Sequence, residues 1–146
     1  MININSSIRN EEGGKTEKFA AKTFKKYGYW SYIMPKKVNG QPCDIVAGKG
    51  GKRTTMWLAD AKHVEEEKVS FTFDRIEANQ LSSFDYATNF AKIRNCGFAI
   101  FFERTKKLYW FSYSDYVKYS QLGCKSVNMN DLVEFEEALQ NEDNYQ

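Results

Sequence analysis

The feature that most constrains this chain is a pair of apolar segments wrapped around one glycine-rich turn in residues 41–62. Gln41-Pro42-Cys43-Asp44-Ile45-Val46-Ala47 runs into Gly48-Lys49-Gly50-Gly51-Lys52-Arg53, and Met56-Trp57-Leu58-Ala59-Asp60-Ala61-Lys62 follows. Two β-rich runs separated by such a turn predict a β-hairpin. Side chains two apart on a strand share a face, so Asp60 and Lys62 project together while Ala61 points away. Pairing around the turn brings Asp44 alongside them. Two carboxylates and an ammonium on one sheet edge suit a divalent cation and a phosphate. A surface ion pair is the competing reading of these three residues.

The surrounding pattern is mixed. Phe19, Ala20, Thr23, Phe24 and Tyr27 recur at helical spacing, predicting a helix over 15–27 that Gly28 ends. Residues 1–12 read as a loose polar lead with Gly13-Gly14 as a break. Residues 29–34 are aromatic and β-branched, hence a strand, and the connection 35–41 is short and basic, carrying Lys36 and Lys37. Beyond the hairpin, 69–73 is a short extended piece, and Ile76, Gln80, Leu81, Phe84, Ala87 and Ala91 predict a helix over 74–91. Residues 97–102 and 108–111 read as two further strands. Ser114 is the expected cap of a short helix to residue 119, residues 123–130 read as irregular, and 131–140 as an acidic helix. This order predicts a single α/β (α+β) domain over 1–146, with a central mixed sheet flanked by helices.

Composition narrows the class. Hydrophobic residues make up 42% of the 146, which excludes a disordered chain, and no apolar run reaches the roughly 20 residues that span a bilayer. The polar N-terminus carries no apolar signal core, and the three cysteines have no CxxC spacing. Both point to a cytoplasmic protein with free thiols. Six acids and no Lys or Arg lie from Asp131 onward, so the first 130 residues carry a net +8, an excess suited to a polyanion. A solvated surface with a charged end is the reading that charge alone slightly favours.

Magnesium takes hard oxygen ligands and keeps several waters beside one or two carboxylates. Asp44 and Asp60 suit that role, with the carbonyl of Ala61 as a third ligand. The metal would polarise a phosphodiester oxygen and stabilise the leaving oxygen, and Lys62 would add positive charge at the transition state. Pro42-Cys43-Asp44 followed by Asp60-Ala61-Lys62 resembles the PD-(D/E)xK nuclease motif, and within that superfamily the chain resembles RecU-type Holliday junction resolvases. Gly14-Lys15-Thr16-Glu17, Ser70-Phe71-Thr72-Phe73 and Arg75-Ile76-Glu77-Ala78-Asn79-Gln80 carry the rest of the resemblance, over roughly residues 15–119.

The resemblance implies a restriction-endonuclease-like fold and a Mg²⁺-dependent phosphodiesterase, with Mn²⁺ able to substitute. It also implies a homodimer that cuts two strands of branched DNA, the four-way junction above all. By motif position Asp44 and Asp60 are metal ligands, Lys62 the motif lysine, Glu17 the acid of the first helix and Gln80 the following glutamine. From the residues alone, Gln80 reads better as a helix-border glutamine reaching solvent, and Glu17 equally well as an exposed acid. Asp60 stands where RecU proteins usually have Glu. The long RecU stalk between the first two strands is replaced by the connection 35–41, a compact form that suits a phage-encoded resolvase or an enzyme accepting several branched or flapped DNAs. Restriction- or repair-type cleavage of linear DNA, and a non-catalytic DNA-binding module, are the alternatives.

Lys36, Lys37, Lys49, Lys52 and Arg53 are candidate phosphate contacts, which position DNA without reading sequence. The aromatic residues, Trp30 and Trp57 included, read mostly as core, with Phe71 and Phe73 as candidates for a DNA or dimer contact. His63, the only histidine, should face away from Asp60.

Overall fold

The computed structural model describes residues 4–35 and 41–143; Lys36 and Lys37 lie outside them. The chain begins with α1 (Ile4–Lys26), followed by β1 (Trp30–Ile33), β2 (Ile45–Lys49) and β3 (Thr55–Val64). Next come β4 (Ser70–Thr72), a 3₁₀ turn (Phe73–Arg75), α2 (Ala78–Asn89), β5 (Asn95–Phe102) and β6 (Lys107–Ser112). The chain closes with α3 (Tyr113–Gln121), β7 (Ser126–Asn128), a second 3₁₀ turn (Met129–Asp131), β8 (Val133–Glu134) and α4 (Phe135–Asp143). Among the described residues no helix is long and apolar enough to cross a membrane.

Six strands form one sheet in the order β1-β2-β3-β5-β6-β8, and β4 pairs with β7 in a separate two-stranded ribbon. The expected hairpin is present, with Ile45 opposite Ala59 and Lys49 opposite Thr55. β3 and β5 run parallel, with α2 in the crossover between them, and the other strand pairs are antiparallel. The sheet is therefore mixed, with helices on both faces, as the sequence predicts.

Strand alternation divides the core. Ile45, Ala47, Trp57, Ala59 and Ala99 pack with Ala20 and Phe24 of α1 and with Phe135 and Leu139 of α4. The opposite face packs Val46, Leu58, Phe98, Ile100 and Phe111 against Phe84 and Ala87 of α2 and Tyr113 of α3. In β3 this places Leu58, Asp60, Lys62 and Val64 on the α2 face and Trp57, Ala59, Ala61 and His63 on the α1 face. The period-2 geometry thus directs the functional pair toward α2. At Gly97 a Cβ would stand 2.4 Å from the Phe111 carbonyl oxygen, so β5 and β6 approach as closely as they do only with glycine there.

Local boundaries differ from the sequence expectations in instructive ways. The first helix starts at Ile4 and passes through Gly13 and Gly14, where a polar lead and a break were expected. A helical glycine costs only about 1 kcal/mol relative to alanine, which weakens a helix without ending it. At Gly28 the helix does end: φ is +87°, the Gly28 amide bonds Lys25 O, and the Tyr29 amide bonds Phe24 O, a Schellman arrangement. The expected helix over 74–91 divides into the 3₁₀ turn and α2, because Ile76 and Glu77 are extended. Ser112, not Ser114, caps α3, accepting from the Asp115 amide at 3.0 Å. Residues 126–128, expected to be irregular, pair with β4, and the acidic helix starts at Phe135 after a short strand.

Candidate active site

Asp44 immediately precedes β2, and Asp60 is the sixth of the ten residues of β3. The Asp44 amide bonds Ala59 O at 3.0 Å, continuing the hairpin by one step. The Asp44 carboxylate is buried and held by two donors: Gln41 Nε2 at 3.0 Å from Oδ1 and the Ala61 amide at 2.9 Å from Oδ2. In a strand a residue's N–H and C=O project to the same edge. The Ala61 carbonyl therefore also points toward the Asp44 side, past the end of β2, where no strand takes it up. That is the position expected of a third ligand.

Asp60 is 1% exposed. Its Oδ1 accepts from Gln80 Nε2 at 2.8 Å. Its Oδ2 is ion-paired with Lys62 Nζ at 3.0 Å, and among the described residues that buried oxygen has no other partner. Burial holds the Asp60 carboxyl well above the usual carboxylate range; Lys62 draws it down, and the neighbouring Asp44 carboxylate pushes it up. Lys62 also donates to the Arg75 carbonyl at 3.1 Å and contacts Gln80 Oε1 at 3.4 Å.

Gln80 is 8% exposed, contrary to a border glutamine reaching solvent. It is simultaneously the third residue of α2 and half of a capping box with Glu77, whose amide it accepts at 3.2 Å. One side chain thus fixes both the start of the helix and one oxygen of Asp60. Glu17 is also buried, 5% exposed, one turn before Ala20 on the stripe of α1 that covers Ile45 and Ala59. The reading of Glu17 as a solvent-facing acid does not hold.

Two buried carboxylates, sharing one nearby ammonium, fit a hard divalent cation. Two buried acids beside a single lysine leave a charge that a cation would offset. Among the described residues no group of three or more His, Cys, Asp or Glu side chains could hold a metal. Two carboxylates with a backbone carbonyl and waters suit magnesium better than zinc.

The other expected contacts fall elsewhere. Lys49, Lys52 and Arg53 sit at the opposite end of the hairpin, roughly 16 Å from the Asp44–Asp60 pair at about 3.3 Å per residue. Lys49 is occupied there, donating to the Tyr27 carbonyl at 2.9 Å and lying over the Tyr29 ring. His63 faces away from Asp60, as expected, and pairs with Glu103 at 3.0 Å. Phe71 is fully buried and offers no contact surface, whereas Phe73 is half-buried, packing on Phe111 and Tyr116. Gln41 and Asn79, which donates to the Gln41 carbonyl at 3.2 Å, were not singled out by sequence. Gln41 lies three residues before Asp44, and only the bend at Pro42 turns it back toward the acid.

The fold itself has a relative among solved structures. It is similar to a Holliday junction resolvase. That resolvase is Hjc of the archaeal hyperthermophile Archaeoglobus fulgidus, with a TM-score of 0.60 at 16% identity, over 88% of this chain and 98% of Hjc. No family model matches the sequence, and no curated sequence does. At that identity the similarity to Hjc is one of fold, a helix-flanked mixed sheet.

Proposed function

We propose that the protein is a Mg²⁺-dependent, structure-selective DNA endonuclease, most simply a Holliday junction resolvase. The observation that carries this reading is the convergence of buried Asp60 and Asp44 beside one lysine, Lys62, whose Nζ is 3.0 Å from Asp60 Oδ2. The fold shared with Hjc supports it. Asp44, Asp60 and the Ala61 carbonyl would hold the cation, which when bound polarises the phosphodiester and stabilises the leaving oxygen. Lys62, braced by the Arg75 carbonyl, supplies positive charge beside the reacting phosphate. Gln80 and Gln41 orient the two acids, and buried Glu17 completes the set of motif residues.

The homodimer reading draws on α2. Tyr86 and Phe90, one turn apart, stack at 5.3 Å and are 66% and 70% exposed, an apolar pair suited to the same surface of a second copy. Two such sites would cut two strands. The short β1–β2 connection leaves no room for a stalk, which favours an enzyme that accepts branched DNA beyond the four-way junction. Incubation with Mg²⁺ and a four-way junction, a flap and a linear duplex tests the reading. Paired cuts near the branch point are expected, absent in Asp60→Asn. No cleavage of any substrate, or equal cleavage by that variant, would sink it; preference for the linear duplex would move it to a restriction- or repair-type nuclease.

A further inference from the structure

Trp30 and Tyr32 lie on β1, an edge strand, and are 64% and 50% exposed. Their rings are parallel within 4° with centroids 6.2 Å apart, too far for the two faces to be in full contact. Large aromatics normally bury most of their area, so a paired set left open on a sheet face calls for an occupant. The register fixes which face this is. Tyr32 is opposite Val46, and Val46 is opposite Leu58. Both partners pack on the α2 face, the face that carries Asp60 and Lys62.

Trp30 is opposite Gly48, which is opposite Met56, itself 42% exposed. Gly48 contributes no side chain, and a Cβ there would approach only the Thr55 carbonyl, at 3.9 Å, so the strip between Trp30 and Met56 is bare sheet. Past Met56 the strip opens into a recess lined by Arg53, Lys92 and Arg94, with Glu142 paired to Arg94. At about 4.8 Å between strands and 3.3 Å per residue, the Tyr32 and Trp30 backbones stand roughly 8 and 14 Å from Asp44. Stacked nucleotides rise 3.4 Å each, so this is roughly two to four nucleotides along a strand.

We propose that Trp30 and Tyr32 form a stacking platform for unpaired bases of the DNA strand flanking the scissile phosphate, with the Arg53–Lys92–Arg94 end holding that strand's phosphates. The proposal rests on the nuclease reading and adds what that reading leaves open, namely where a branch without a stalk to open it is held. Aromatic faces beside a basic strip are how single strands are bound without sequence preference, because every base offers a π face. The cations favour a nucleic acid over a second copy of the chain, whose candidate surface is the apolar Tyr86–Phe90 pair on α2.

Tryptophan emission provides the test, since Trp57 is fully buried and Trp110 half-buried while Trp30 is open. In EDTA, where nothing is cut, a 12-nucleotide oligothymidylate should quench the wild type and Asp60→Asn alike. Anisotropy of the labelled oligonucleotide should show roughly tenfold weaker binding by Trp30→Ala and near-normal binding by Trp30→Phe. A blunt duplex of the same length should bind Trp30→Ala and wild type equally. Unchanged oligonucleotide binding by Trp30→Ala overturns the platform, as does equal weakening on the duplex. Self-association of the wild type that Trp30→Ala abolishes overturns it in favour of a second copy. Normal junction cutting with no quenching removes the platform alone; quenching without cutting of any DNA removes the nuclease reading alone.

Discussion

Gln80 donates its amide to Asp60 Oδ1 at 2.8 Å while its oxygen accepts the Glu77 amide at 3.2 Å, tying the start of α2 to the middle of β3. The helix cap and the orientation of the candidate metal ligand are therefore one interaction network, and cutting it at different points should separate stability from chemistry.

Gln80→Ala removes both halves. It should cost about 1–2 kcal/mol in urea unfolding, from the lost cap and the lost donor to a buried acid, and should depress cleavage. Glu77→Ala removes only the Glu77 side chain, which accepts the Gln80 backbone amide, and leaves both bonds of the Gln80 side chain in place. A cost of about 1 kcal/mol with near-normal cleavage is expected. Equal loss of cleavage in both variants would assign Gln80 a purely structural role.

Thermal melts should detect the cation independently of activity. Burial raises the Asp60 carboxyl in the folded state above its ordinary value of 3.8, so the unfolded chain loses this proton first as pH rises. Stability in EDTA should therefore fall as pH climbs from about 4 toward the raised folded value, and Asp60→Asn should flatten that fall. Saturating Mg²⁺ binds only the folded state and should raise the wild-type Tm by several degrees, about 2–4 °C per kcal/mol of binding linkage. Asp44→Asn and Asp60→Asn should show no such rise.

Thiol labelling checks the packing beside the site. Cys43 and Cys96 are buried and Cys124 is exposed. Burial pushes the Cys43 thiol up to about 12, with the Asp44 and Asp60 carboxylates adding to it, so at pH 8 it remains protonated and unreactive. Native protein should take up one equivalent of iodoacetamide, at Cys124, and urea-unfolded protein three. Rapid native modification of Cys43 would mean the floor of the site is open.

The Tyr86–Phe90 pair predicts an oligomeric state. Phe90→Glu should convert a dimer to a monomer by light scattering, with the melting temperature unchanged beyond the dimer's own contribution. A wild-type monomer at micromolar concentration would remove the two-site account of paired cuts.

Much of the local order is legible in the sequence. Apolar alternation around a glycine-rich turn can form little but a hairpin, and period 2 puts Asp60 and Lys62 on a common face whatever covers them. Gly28 ends its helix because only glycine takes the positive φ required there without strain. Gly13 and Gly14 mislead, because a glycine stops a helix only where the chain must turn. Trp30 also misleads: an aromatic on a strand reads as core, and nothing local says that its strand is the sheet edge.

The sequence by itself determined the hairpin and the acids that meet across it, because strand alternation and turn chemistry are short-range. Tertiary structure alone decided that α2 covers the face carrying Asp60 and that Gln80 and Glu17 are buried. It alone left Trp30 open to solvent. Burial and desolvation depend on which distant elements pack together, and it is they that turn two acids and a lysine into a candidate metal site.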